Sequence, residues 1–269
     1  MSWDEIATEV VRTLSSVIDQ ETLPATEKLD AVFGIVAAYR SARLTPDFIE
    51  QHGSWVLAGP FAGMRYMRQI AEGALLPKLI GSYEAELHPS IGRIVETEYD
   101  RVINIGCAEG YYAVGLAREM PAVQIDAFDI DEHAQDLCRE LAGINDVESC
   151  VTVGGRFEPE DFASYADGRT VVLCDIEGAE AALLDPERAP ELAHADILAE
   201  CHQVDGEWTS DLLLPRFRST HRVTEIDQQP RDFSQYPALE GLSDTDCFFA
   251  LLERLEPARW LFLEAKSSD

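Results

Sequence analysis

The segment Arg101-Val-Ile-Asn-Ile-Gly-Cys-Ala-Glu-Gly110 constrains this chain more than any other. A short β-branched run ends in a glycine turn and leads into a helical stretch through Tyr112, Leu116 and Ala117. Gly106 and Gly110 permit positive φ and a close approach of backbone to a ligand. Free N–H groups at the start of the following helix suit a carboxylate or a phosphate. Such turns also arise for purely structural reasons, so the surrounding pattern has to decide.

After Asp100, strand-like and helix-like segments alternate. The strand candidates are 101–105, 123–128, 150–153, 170–175, 195–201, 221–227 and 258–264. Helical segments separate the first five, which predicts an α/β fold with a mostly parallel sheet covered on both faces. The last two read as a hairpin or a mixed edge. The first hundred residues lack alternation and read as helical. Ile6, Val10, Val11, Leu14 and Ile18 recur at helical spacing. So do Leu29, Val32, Phe33, Val36 and Ala37, behind a start signal at Thr26 and Glu27. Further helices are expected from about Gly63 to Ile80, interrupted at Pro77, and from about Glu84 to Glu96. The expected organisation is a helical N-terminal cap over 1–90 and a Rossmann-like domain over 91–269.

Composition narrows the partners. A chain of 269 residues can bury a sizeable core without staples. Against 21 basic residues stand 50 acidic ones, a formal charge of −29. That field repels phosphate backbones and anionic lipid, so neither nucleic acid nor a membrane surface is expected as a partner. Neutral or cationic small ligands are favoured. The six cysteines are widely spaced without a C-x-x-C pair, and neither a secretory leader nor a bilayer-length apolar run is visible. Reduced thiols and a cytoplasmic location are expected.

The second strand candidate ends at Asp129, nineteen residues after Gly110. A carboxylate there can accept both hydroxyl protons of a ribose, with Asp131 as its rival. The dinucleotide pattern G-x-G-x-x-G is absent, and so is G-x-x-x-x-G-K-[ST]. The pattern Asn104-x-Gly106-x-Ala108-x-Gly110 instead resembles motif I of the class I S-adenosylmethionine (SAM)-dependent methyltransferases. It departs at Asn104, which replaces the usual acid, and at Ala108, which replaces the middle glycine. Thr170-Val-Val-Leu-Cys-Asp-Ile-Glu-Gly-Ala-Glu180 contains D-x-E-G-x-E and resembles the FkbM-type branch of that superfamily. Gly81-Ser-Tyr-Glu-Ala-Glu-Leu87 resembles the Tyr-Glu segment of the same branch. The resemblance covers about residues 81 to 205, with a weaker match in the last two strands.

The resemblance implies a Rossmann-like fold, SAM as cofactor and methyl transfer as the activity. Gly106, Cys107, Ala108 and Gly110 would surround the methionyl group, Asp129 would take the ribose and Ile130 would face adenine. Arg156 and Phe157 stand where such families contact the adenine, though Phe157 reads equally as core. Tyr83 and Glu84 either close over the cofactor or cap a helix. The implied acceptor is a hydroxyl on a small molecule such as a sugar or secondary metabolite. N-methylation, aminocarboxypropyl transfer and a non-catalytic partner subunit remain the alternatives.

Catalytic candidates lie at the ends of the fourth and fifth strands. Asp175 and Glu177 share a face of one extended segment, and Glu200 and His202 share a face of the next. His202 suits a general base, Asp175 a base or cofactor contact, and Glu177 a positioner of the acceptor hydroxyl. In a rival model Asp175, Glu177, Glu200 or His202 bind Mg²⁺, which would acidify a hydroxyl, although no tight ligand spacing supports it. His221 is expected to be structural, and Cys107 to be a small residue that fits the turn. A small-molecule acceptor is the expected partner. A homodimer is also allowed, because the cap can either cover the pocket or build an interface.

Overall fold

The computed structural model describes residues 2–266. Two long helices open the chain, α1 (Trp3–Ile18) and α2 (Ala25–His52). A capping box starts α1, with the Ser2 hydroxyl accepting the Glu5 N–H and the Glu5 carboxylate accepting the Ser2 N–H. No residue of α1 is buried; the helix lies along α2, where Trp3 meets Tyr39 edge-on. No helix among the described residues is long and apolar enough to cross a membrane.

The helix expected from Gly63 to Ile80 is present only as α3 (Leu75–Ile80). Residues 53–74 form no helix because the chain doubles back on itself. Gly63 and Gly73 both take positive φ, and Trp55 bridges Arg65 in antiparallel fashion. This fold-back buries Val56, Phe61, Met64 and Tyr66 in one apolar cluster with residues of the sheet domain. Their helix-like spacing thus serves a packed loop. A turn at Ala85–Leu87 then leads into α4 (His88–Glu96).

The remainder alternates as expected: β1 (Arg101–Ile105), α5 (Tyr111–Glu119), β2 (Gln124–Phe128), α6 (Glu132–Ile144), β3 (Val151–Gly154), β4 (Thr170–Cys174), α7 (Glu180–Leu183) and β5 (Asp196–Cys201). A small hairpin, β6 (Gln203–Val204) and β7 (Glu207–Trp208), precedes α8 (Thr209–Phe217), β8 (His221–Asp227), α9 (Asp244–Leu251) and β9 (Arg259–Ala265). The main sheet has seven strands in the order β3-β2-β1-β4-β5-β9-β8. β1 to β5 run parallel, and β9 runs antiparallel to both of its neighbours. This is the expected Rossmann-like α/β sheet, mostly parallel. The strand order reverses between β1 and β4, so a crevice opens at their carboxyl ends, where such sheets bind ligands.

Buried charge ties the N-terminal segment to that crevice. Glu109, in the turn after β1, is fully buried. Its carboxylate accepts from the Tyr66 hydroxyl at 2.6 Å, the Lys78 ammonium at 2.5 Å and the Ala71 N–H at 3.1 Å. Burial alone would push the Glu109 carboxyl up, but Lys78 and then Tyr66 outweigh it and hold it below the usual range. Breaking such a pair strands one charge, so Lys78→Met is expected to cost about 3–5 kcal/mol in denaturant melts. Lys78→Met combined with Glu109→Gln is expected to cost less than Lys78→Met alone. Additive losses in the double variant would contradict the pairing.

Candidate functional site

The turn after β1 is built around glycine. A Cβ on residue 106 would lie 1.6 Å from the Asp175 carbonyl oxygen, so β1 and β4 can approach this closely only with glycine there. The N–H groups of Gly106 and Cys107 both donate to the Phe128 carbonyl, at 2.8 and 3.0 Å. Ala108 sits at φ +46°, the left-handed region its pattern position normally fills with glycine. Its N–H donates to Asp129 Oδ2 at 2.9 Å, and the Asp131 N–H donates to Asp129 Oδ1 at 2.9 Å. Asp129 therefore faces the turn. Asp131 faces α6 instead, capping the His133 N–H at 3.0 Å. Gly110 takes φ +94° at the start of α5. Cys107 is buried, and its thiol is pushed up by the Cys138 thiol and by burial, so it stays neutral.

Three cavities meet around Asp175 and Glu72. The first, of about 370 Å³, lies between the ends of β1, β2 and β4 and is bordered by Asp129, Ile130, Arg156 and Phe157. Ile130 is 73% exposed and offers a free apolar face. Arg156 is exposed beside Glu158. Phe157 is a core residue whose ring packs on Phe128 and Phe162, at 4.7 and 4.8 Å between centroids, with one edge on the cavity.

The second cavity lies between the turn, Tyr83 and Glu84. Asn104 Oδ1, Tyr111 Oη and Asp175 Oδ1 border it, and all three are buried without a hydrogen-bond partner among the described residues. An unsatisfied buried polar atom costs about 1–3 kcal/mol, so this cluster fits a polar ligand. Glu84 is not a helix cap. It is buried at φ +47° and accepts from the Tyr112 hydroxyl and the Arg254 guanidinium. Arg254 also donates to Glu200. Tyr83 packs edge-on to Tyr111 at 5.2 Å, with the Lys78 ammonium 4.9 Å from its ring centre.

The third cavity, a chamber of about 570 Å³, opens over the ends of β4 and β5. Here the expected residues converge. His202 Nε2 lies 3.5 Å from Glu177, 3.7 Å from Asp175 and 3.8 Å from Glu200. Its Nδ1 bonds to Glu180 Oε1 at 2.9 Å. Glu180 is fully buried and also accepts the Gly178 and Ile176 N–H groups. Asp175, Glu200 and His202 each present a ligand atom within 4.8 Å of the others, close enough to share one cation. His221 is structural, its Nε2 2.8 Å from the Ala195 carbonyl beneath the sheet.

The electrostatics are those of too many carboxylates. Burial, then Glu200 and Glu84, push Asp175 well above the usual carboxylate range. Burial and Glu84 raise Glu200 to about 7 despite Arg254. Burial and Glu177 raise Glu72 to about 7. Burial raises Glu253 to about 7 against Arg231. Burial opposes the charge on His202, but Glu180 and the other carboxylates outweigh it and raise its pKa.

Sequence reasoning passed over Glu72, Tyr111, Glu180 and Arg254. Glu180 had a signal, as the last acid of D-x-E-G-x-E. Glu72 and Arg254 had none, because they reach the site from segments without a motif.

No protein-family model matches the chain, and no curated protein is similar to it in sequence. Solved structures do resemble it. One is precorrin-6y C5,15-methyltransferase from Geobacter metallireducens, at 13% identity and TM-score 0.45, covering 67% of this chain and 87% of that one. A second is a SAM-dependent O-methyltransferase from Thermotoga maritima, at 14% identity and TM-score 0.45, with 67% and 65% covered. A third is an O-methyltransferase from Streptomyces achromogenes involved in tomaymycin synthesis, in complex with SAM, at 12% identity and TM-score 0.43, with 69% and 81% covered.

The raised carboxyls make stability depend on pH. Asp175, Glu200, Glu72, Glu253 and His202 all bind protons more tightly when folded, so stability is lost as pH rises through their folded values. Burial lowers His88 and His221, which act in the opposite sense, but their effect is spent above about pH 6.5. Thermal melts are therefore expected to show a falling Tm between about pH 6.5 and 8. A flat or rising Tm there would contradict the crowding.

Proposed function

We propose that this chain is a SAM-dependent methyltransferase of the FkbM-type branch that methylates a hydroxyl on a small molecule such as a sugar or secondary metabolite. The observation that carries this reading is that Asp175 borders all three cavities at the switch point of the sheet. The first cavity accommodates adenosine: Asp129 keeps lone pairs for ribose hydroxyls, and Ile130 and Phe157 offer apolar faces. The unpartnered Asn104, Tyr111 and Asp175 atoms in the second cavity fit the amino and carboxylate groups of the methionyl end. The chamber remains for the acceptor. The D-x-E-G-x-E motif places Asp175, Glu177 and Glu180 around His202, which supports the branch assignment.

SAM, when bound, supplies an electrophilic methyl group on a sulfonium. The chain's own groups align the acceptor and take its proton, and alignment accounts for much of the barrier reduction. Asp175 is the proton acceptor in this reading. Its pKa is raised by burial and then by like charges, and a cation beside it favours the ionised, basic form. His202, expected as the base, has its protonated form favoured by Glu180 and its neighbours, which makes it the weaker base here, and in this reading it positions Glu177 and Glu200 for the acceptor hydroxyl.

A second reading is carried by the Asp175–Glu200–His202 cluster, which would hold a divalent cation through Asp175 Oδ1, Glu200 and His202 Nε2. One imidazole with two carboxylates suits Mn²⁺, Fe²⁺ or Zn²⁺ better than Mg²⁺. Transfer that survives exhaustive chelation would remove this reading.

Calorimetric titration tests the cofactor. SAM and S-adenosylhomocysteine are expected to bind while NAD does not. Asp129→Ala is expected to weaken binding about tenfold to a hundredfold, with its circular dichroism unchanged. Turnover with an acceptor should release S-adenosylhomocysteine. Methylthioadenosine in its place would favour aminocarboxypropyl transfer, and absence of SAM binding would sink the proposal.

A further inference from the structure

The acceptor chamber adjoins a groove. This second space, of about 450 Å³, runs between α2 and the segment formed by α9 and the residues that follow it. Gly73, Glu253 and Arg254 border both the chamber and the groove, so the two adjoin at these residues. The groove is apolar, with walls that include Ala38 and Ala42 of α2, Ile70, Leu75, Leu252 and Leu255. Small residues of α2 leave the space open: a Cβ on Gly34 would already come within 3.1 Å of Leu255 Cδ1. The apolar surface continues outward, with Leu255 47% and Phe33 43% exposed. A strip of this kind is unexpected on a chain of net charge −29.

At the inner end of the chamber, carboxylates outnumber cationic groups. Glu72, Asp175, Glu177, Glu200, Glu253 and Glu256 line it, against Arg254 and His202. Arg254 is already engaged by Glu84 and Glu200, and His202 by Glu180. Arg231, behind Glu253, is shared with Glu86. Asp175 Oδ1 is buried and unpartnered. A single ligand that joins a positive charge to an apolar body satisfies both spaces at once.

We propose that the methyl acceptor is a hydroxyl-bearing cationic amphiphile, with a protonated amine seated among the chamber carboxylates and a hydrocarbon portion lying in the groove between α2 and α9. The hydroxyl oxygen forms the new C–O bond as the S–CH₃ bond of SAM breaks, its proton passes to Asp175, and S-adenosylhomocysteine leaves. The inference rests on the methyltransferase reading and names its substrate class. The hydrocarbon portion anchors the molecule, and the carboxylates hold its head beside Asp175. Within the small-molecule acceptors of that reading, this narrows the choice to amphiphiles, since a simple sugar would leave the groove unfilled and an anionic acceptor would be repelled.

The test is calorimetric titration of the protein loaded with S-adenosylhomocysteine, using 1-alkylamines and matched 1-alkanols kept below micelle formation. Affinity for the amines is expected to rise roughly threefold per added methylene until the groove is filled. Alkanols of equal length are expected to bind at least about tenfold more weakly, as befits loss of a charge-assisted contact. Ala38→Phe, which fills an exposed wall of the groove, is expected to abolish the gain with length and leave the affinity for S-adenosylhomocysteine unchanged. Affinity independent of chain length would overturn the proposal, as would equal binding of amines and alkanols. A stable dimer in sedimentation whose groove admits no amine would overturn it too, by making a second copy the occupant. Because S-adenosylhomocysteine binding is measured first, its absence would mark failure of the cofactor reading, whereas its presence without amine binding would mark failure of this one alone.

Discussion

The contact between Gly106 and the Asp175 carbonyl is the constraint on which the site depends. With no Cβ on residue 106, the ends of β1 and β4 close to a distance that no other residue allows. The closure sets the glycine turn against the D-x-E-G-x-E segment. One wall of the crevice then offers Asp129 and the backbone of the turn, and the other offers Asp175. The parallel neighbours β2 and β5 extend this geometry on either side, bringing Phe128 and Asp129 to one cavity and Glu200 and His202 to the next. A nucleoside-sized space and an acceptor-sized space thus meet across Glu72, Asp175 and Glu177.

Burial of charge is the second organising force. Glu109 and Lys78 pair in a fully dry setting, and Arg254 bridges Glu84 to Glu200. Each buried pair fixes a segment without a strand of its own: Lys78 anchors the fold-back at 53–74, and Arg254 anchors the chain after α9. The remaining carboxylates have no such partner. Burial first, and then neighbouring carboxylates, push Asp175, Glu72 and Glu200 up. A site arranged in this way stabilises positive charge brought in from outside, as a sulfonium and an ammonium both are.

The sheet was legible in the sequence because parallel strands buried on both faces leave continuous β-branched runs such as Arg101–Ile105 and Thr170–Cys174. All seven strands lie within one residue of their expected ends. The convergence of Asp175, Glu177, Glu200 and His202 followed from register alone. The fold-back at 53–74 was not legible. Phe61, Met64, Tyr66 and Met67 mimic helical spacing, and only tertiary packing against α5 and the sheet decides otherwise. The pairing of Lys78 with Glu109, and of Arg254 with Glu84 and Glu200, was not legible, since a buried charge carries no local signature until its partner is known. Ala108 read as a departure from the glycine pattern, yet its φ of +46° keeps the glycine geometry.

The measurement that tests the account most directly is a crystal structure of the protein grown with SAM. The account places the ribose on Asp129, the adenine between Ile130 and Phe157, the methionyl end against Asn104 and Tyr111, and the methyl group facing Asp175 and the chamber. SAM bound elsewhere, or bound at the turn with its methyl group directed away from Asp175, would contradict it.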